Sequence, residues 1–121
     1  YTEDKNGNRK DDVSSGGKPF EIPVVVLVNE ETASAAEIFS GCVQDYGLGT
    51  VIGTVTFGKG IVQNTYTLSD GSVVKLTASR YYTPNGNNIH GVGITPDIIV
   101  ENTETEDLQY EKGVEVLTEN L

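Results

Sequence analysis

Ser34, Lys59 and Gln63 are the residues of this chain whose types and spacing could do chemistry together. A serine hydroxyl is a weak nucleophile until a base takes its proton, and a lysine amine held neutral is such a base. Ser34 follows an apolar run and opens a segment with helical spacing. A hydroxyl there faces free backbone N–H groups and the positive end of the helix dipole, where a developing oxyanion is stabilised. The same residues also read as a capping box, Ser34-Ala35-Ala36-Glu37, in which Ser34 simply caps the helix. Lys59 stands between two glycines in Phe57-Gly58-Lys59-Gly60. Beside a buried site it would be a general base, and in a glycine-rich turn it would be a solvated cation. It is not a phosphate-binding loop, because that motif leads directly into a helix and Ile61-Val62-Gln63 reads as strand. Gln63 offers an amide that can orient a neutral lysine, or a polar residue on the wet face of that strand.

These residues need elements to hold them. Ile22 to Val28 is a β-branched run that suits a strand buried on both faces of a parallel sheet. Ala35, Ile38, Phe39, Cys42, Val43 and Tyr46 then fall on one helical stripe, closed by Gly47 as a C-terminal cap. Thr50 to Val55 reads as a second strand, which completes a βαβ unit. Ile61–Leu68 and Ser72–Tyr82 predict a β-hairpin around Asp70-Gly71. A turn is expected at Thr83–Asn87, a short strand at Ile98–Val100, and a C-terminal helix on Tyr110, Val114, Leu117 and Leu121. Thr103 and Glu106 offer that helix a capping box, and Gly113 weakens it by about 1 kcal/mol relative to alanine. Residues 1–21 are expected to be a polar arm or loop, because Tyr1 to Pro19 hold almost nothing a core could use. Residues 22–121 form the ordered portion.

Composition removes several function classes. The chain of 121 residues carries 18 acidic against 8 basic side chains, a net charge of −10, which argues against nucleic-acid binding and against docking on anionic membranes. One cysteine, Cys42, excludes an internal disulfide framework and a multi-cysteine zinc site, and its place on the apolar stripe makes it a small core residue. One histidine, His90, excludes chemistry built on several histidines and reads as a surface or turn residue. Asp4-Lys5-Asn6-Gly7-Asn8 begins like a calcium loop, but Arg9 stands where glycine is needed and Ser15 where glutamate is needed, so it reads as an Asx-rich turn. No apolar run approaches the length of a membrane span, and the start lacks both an initiator Met and a signal-peptide pattern. The chain is therefore expected to be a piece of a longer polypeptide.

Taken in order, the segments from Pro23 to Val100 resemble the C-terminal processing peptidases, also called tail-specific proteases. Val25 to Glu30 is similar to the family's strand before the nucleophile, and Thr32-Ala33-Ser34-Ala35-Ala36-Glu37-Ile38 to its SASASEI segment. Val51 to Thr54, then Phe57-Gly58-Lys59-Gly60 and Val62-Gln63, are similar to its IGxxTFGKGxVQ segment. Leu68 to Ser72, Lys75-Leu76-Thr77, Arg80 to Gly86 and Gly93 to Asp97 continue the series. Thr32 and Ala36 replace the outer serines, and the middle one is kept.

The resemblance implies an α/β, crotonase-like core of ββα turns, here incomplete, with a β-hairpin and a C-terminal helix. It implies a serine endopeptidase with Ser34 as nucleophile, Lys59 as general base and Gln63 steadying the lysine. The backbone N–H of Ala35 is the expected oxyanion donor within this chain. No metal or organic cofactor is implied. Substrates would be polypeptides. An upstream half of the protease domain would supply the other oxyanion donor, usually with a PDZ domain. Nothing before Pro23 resembles that half, so this chain alone is expected to have little peptidase activity. A location outside the cytoplasm, exported or membrane-anchored, is implied in the same way. Two other readings use the same residues: a non-catalytic scaffold that binds peptide strands at its sheet edges, and an interaction fragment that forms a homo-oligomer to cover its open surface.

Overall fold

The structure, a computed structural model, describes residues 1–11, 16–18 and 21–119. Parts of the predicted arm (residues 12–15 and 19–20) and Leu121 of the predicted tail stripe lie outside the described residues. The element order is β1 (Thr2–Asp4), β2 (Arg9–Lys10), β3 (Val25–Val28), α1 (Ala35–Asp45), β4 (Thr50–Gly53), β5 (Ile61–Thr67), β6 (Val73–Tyr81), β7 (Ile98–Ile99) and α2 (Leu108–Glu119). Among the described residues these make a mixed α/β architecture with two sheets. No helix among the described residues is long and apolar enough to cross a membrane.

The parallel sheet has the order β3-β4-β7 and contains the βαβ unit expected from the sequence. β4 runs through its centre and is the buried strand, with Val51 and Ile52 at 0% exposure. The expectation that the Val-rich run of β3 is buried on both faces is corrected. Among the described residues β3 is an edge strand with one neighbour, and Leu27 remains 41% exposed. Helix α2 packs on the β3 face that carries Val25 and Leu27, with its close approach at Gly113: a Cβ there would lie 3.3 Å from Leu27 Cδ2 and 3.5 Å from Val25 Cγ1. Asp107 starts this helix, its Oδ1 accepting from the Tyr110 N–H at 3.0 Å. The Thr103–Glu106 pair forms instead a turn just before it, with Thr103 Oγ1 accepting from the Glu106 N–H.

The second sheet is antiparallel, in the order β2-β1-β6-β5. Its β5–β6 pair is the predicted hairpin, closed by a turn in which Asp70 Oδ1 accepts from both the N–H and the hydroxyl of Ser72. The expectation of an arm or loop over residues 1–21 is corrected in its first ten residues, which form β1 and β2 against the far edge of β6. Composition could not show this, because the pairing uses backbone groups that every residue owns. The Asx-rich turn expected between these strands is present, with the Asp4 carboxylate accepting from the Asn6 N–H, the Asn8 N–H and Asn8 Nδ2.

Helix α1 forms where its spacing predicts, but the face it buries is shifted: of the predicted stripe Val43 is buried and Ile38 and Cys42 are half-buried. Its buried residues are Glu37, Ser40, Gly41 and Val43, whereas Phe39 and Tyr46 of the apolar stripe are 59% and 66% exposed. Small residues set this choice: a Cβ at Gly41 would lie 2.9 Å from Thr83 Cγ2, so that side of the helix is the one pressed against the fold. Cys42 is consequently half-buried rather than a core residue. Thr95-Pro96-Asp97 ties helix to sheet. Asp97 accepts from Gln44 Nε2 through Oδ1 and from the Val51 N–H through Oδ2, each at 2.8 Å.

Candidate active site

Ser34 stands at the end of a tight loop leaving β3. Asn29 builds this loop: its N–H donates to Thr32 Oγ1, its carbonyl accepts from the Thr32 N–H, and its Oδ1 accepts from the Glu31 N–H. The loop delivers Ser34 at φ +58° and ψ −117°, the one positive φ of a non-glycine residue among the described residues. A side chain held in such backbone costs on the order of 1–3 kcal/mol, and persists where the surroundings impose it. The capping-box pattern is present, yet the serine hydroxyl makes no capping hydrogen bond of ordinary length. The Glu37 N–H donates instead to the Ser34 carbonyl at 3.0 Å.

The first turn of α1 is otherwise accounted for. The N–H groups of Ala36, Glu37 and Ile38 donate to the carbonyls of Ala33, Ser34 and Ser34. No acceptor takes the Ala35 N–H among the described residues, and Ala35 is exposed. A free backbone donor therefore sits beside Ser34 at a helix N-terminus, as an oxyanion site requires.

Glu37 joins this turn to the second segment. It is 0% exposed and its carboxylate accepts four hydrogen bonds. Oε1 takes the Thr56 hydroxyl and the Gly58 N–H, both at 2.6 Å. Oε2 takes the Ser34 N–H and the Lys59 N–H, both at 2.8 Å. Four acceptor positions meet four donors, so the buried charge is fully solvated by the protein. Thr56 is buried too, and its hydroxyl accepts from the Ile94 N–H at 2.7 Å. The Phe57 N–H adds a further tie, to the Thr32 carbonyl at 2.9 Å.

Lys59 is thus brought beside Ser34 through its backbone. Gly58 makes the bend at φ +88°, and a Cβ there would lie 3.1 Å from the backbone nitrogens of Gly93 and Val92. The Lys59 side chain is exposed and makes no hydrogen bond or ion pair among the described residues. Gln63 is not drawn in. It lies exposed on β5 at a register shift between Val62 and Gln63, and its amide makes no hydrogen bond among the described residues. His90 is exposed in a turn. The described residues hold no group of three or more His, Cys, Asp or Glu side chains arranged for a metal ion.

The spacing of residues had given Glu37 only the part of a helix cap. Its role as the joint between two distant segments was missed. One signal was available: Glu37 lies three and four residues before Ser40 and Gly41, on the side of the helix where small residues mark close packing.

A family model for peptidase family S41 matches residues 1–100. The match reaches upstream of Pro23, into the strands at the start of the chain. The chain is 39% identical, over 98% of its length, to a carboxyl-terminal-processing protease of Synechocystis sp.. It is 48% identical, over 74% of its length, to a carboxy-terminal-processing protease of Bartonella bacilliformis. It spans 30% and 21% of the lengths of those two relatives. Among solved structures, the photosystem II D1 C-terminal processing protease superposes with a TM-score of 0.66 at 44% identity, over 76% of this chain and 23% of that one. On the family match and these similarities, the chain belongs to peptidase family S41.

Proposed function

We propose that the polypeptide carrying this chain is a serine endopeptidase of the C-terminal-processing type, with Ser34 as nucleophile and Lys59 as general base. The observation that carries the reading is the shared anchor: Ser34 and Lys59 both donate their N–H to Glu37 Oε2. The strained backbone of Ser34 and the unused N–H of Ala35 support it. Neutral Lys59 takes the proton from Ser34 Oγ as Oγ attacks the peptide carbonyl carbon. The Ala35 N–H receives the oxyanion. The C–N bond breaks, the leaving amine takes the proton from Lys59, and water hydrolyses the acyl-enzyme by the reverse route.

A lysine is neutral near pH 7 only where burial or a neighbouring cation favours the uncharged form. Lys59 is exposed in this chain, so the mechanism requires other parts of the polypeptide, with substrate, to exclude water from it. Further segments would supply the second oxyanion donor, within a crotonase-like core. Phe39, Leu48 and Phe57, each more than half exposed, are surface of the kind such segments would cover. Gln63 joins the site only if that assembly turns its amide toward Lys59. The same reading places residues 22–121 in the carboxyl-terminal portion of a catalytic domain, alongside a PDZ domain in the full polypeptide, and the enzyme outside the cytoplasm.

The test is covalent labelling of the full-length polypeptide with a fluorophosphonate. Labelling is expected at Ser34, absent in Ser34→Ala and strongly reduced in Lys59→Ala. Labelling that persists in Ser34→Ala overturns the assignment. The chain of 121 residues alone is expected to cleave peptides at least about 10²-fold more slowly than the full polypeptide, since one lost oxyanion donor has that effect.

A further inference from the structure

A groove runs from the Ser34 end of α1 along one side of the helix. Ile38, Cys42 and Tyr46 line one wall, each four residues from the last, on the helix that Ser34 precedes. Tyr81, Tyr82 and Pro84 line the other wall, and the cavity between them holds about 450 Å³. This size and largely apolar lining suit a ligand side chain.

Both catalytic segments frame the groove. α1 begins at Ser34. The second wall is tied to Lys59, because the Tyr81 N–H donates to the carbonyl of Gly60, the next residue, at 2.8 Å. The rim is a stack of rings capped by an ion pair. Tyr1 stacks on Tyr82 with ring centres 5.3 Å apart, Arg9 lies 3.8 Å over the Tyr1 ring, and Asp11 pairs with the Arg9 guanidinium at 2.8 Å. Arg9, the one cationic side chain of the lining, is thus already partnered, and tyrosine faces, aliphatic carbon and a thiol remain to meet a ligand.

Distance selects the part of the substrate that reaches it. With 1.5 Å of rise per residue, Ile38 lies about 6 Å and Cys42 about 12 Å along the axis from Ser34. An extended peptide advances about 3.3 Å per residue. We propose that this groove is a specificity subsite of the peptidase, taking an aromatic or large aliphatic side chain two to four residues from the scissile bond. The proposal rests on the peptidase reading and adds the chemistry of the substrate to it.

Cys42, the one cysteine of this chain, reports on the groove without any need for turnover. The full-length polypeptide carrying Ser34→Ala is treated with N-ethylmaleimide, and the alkylation rate of Cys42 is followed by mass spectrometry. Acetylated alanine-based octapeptides carrying one Phe, Leu or Asp at successive positions are added, and their binding is measured separately by fluorescence anisotropy. A Phe or Leu peptide at about ten times its Kd is expected to slow alkylation about tenfold, at a defined position of that side chain. The matching Asp peptide is expected to bind at least about tenfold more weakly. If saturating Phe and Leu peptides bind and leave the alkylation rate unchanged, the subsite is wrong and the peptidase reading stands. If Cys42 stays unreactive without peptide even in alkaline buffer, where burial's upward push on its thiol no longer withholds the thiolate, another part of the polypeptide fills the groove and the subsite is again wrong. If no Phe or Leu peptide binds, the subsite is wrong, and fluorophosphonate labelling of Ser34 decides the peptidase reading separately.

Discussion

The backbone nitrogens of Ser34 and Lys59 donate to one atom, Oε2 of Glu37, each at 2.8 Å. The two nitrogens therefore lie within twice that distance of each other, although they belong to a helix N-terminus and to the chain leaving a strand. A buried carboxylate makes this junction more exacting than apolar packing would, since each donor has a defined direction and an unmet one is costly.

Glu37→Gln tests the junction. The amide keeps the shape but turns one acceptor into a donor, which must then face two donors. We expect a loss of stability on the order of 1–3 kcal/mol. We also expect kcat to fall about 10²-fold or more with little change in KM, since small displacements of reacting groups have that effect. Wild-type kcat in a folded Glu37→Gln enzyme would show that the carboxylate does not position the pair.

Ser34 is held at φ +58°, so its replacements separate strain from chemistry. Ser34→Ala keeps the strained backbone, whereas Ser34→Gly relieves it. Relief of about 1–3 kcal/mol outweighs the about 0.4–1 kcal/mol that glycine loses through unfolded-state entropy. Ser34→Gly should therefore be more stable than Ser34→Ala by about 1 kcal/mol, with both inactive. Denaturant titration of the two full-length variants decides it, and equal midpoints would mean that the strain relieved is no larger than glycine's entropy cost of about 0.4–1 kcal/mol.

Gly113→Ala sets helix propensity against packing. Alanine gains up to about 1 kcal/mol over glycine inside a helix. The new Cβ would press on Leu27 Cδ2 at 3.3 Å, but that is the end of a side chain 41% exposed and free to yield. A small net stabilisation is expected for Gly113→Ala and a clear destabilisation for Gly113→Val, whose branches would reach the β3 face. Thermal unfolding measures both, and a large loss in Gly113→Ala would mean that Leu27 is fixed in place.

Asp70 gives the hairpin a pH dependence. The Ser72 hydroxyl, and after it the Ser72 N–H, hold the Asp70 carboxyl below its ordinary value of 3.8. A folded-state value depressed in this way contributes stability above the unfolded value, and that contribution is lost as the pH falls through the folded one. The stability difference between wild type and Asp70→Asn should be constant from neutral pH down to about 4 and shrink in stronger acid. A difference that stays unchanged to pH 2 would assign the effect to the shape of the turn instead.

Local patterns determined much of this protein. The βαβ unit, the hairpin at Asp70-Gly71, the terminal helix and the ordered motifs around Ser34 and Lys59 were all legible, because periodicity and turn chemistry act over a few residues. The first strands were not legible, since backbone pairing leaves little mark on composition. The buried side of α1 was also decided in three dimensions: apolar spacing pointed to Phe39 and Tyr46, while close contact at Gly41 turned Glu37 inward. The hydrogen bonds of Glu37 to Thr56, Gly58 and Lys59 span 19, 21 and 22 residues, a separation at which no period or propensity operates. Sequence thus named the serine and the lysine, and tertiary structure alone supplied the buried carboxylate that brings them together, because a hydrogen-bonded junction depends on where segments meet and not on their order along the chain.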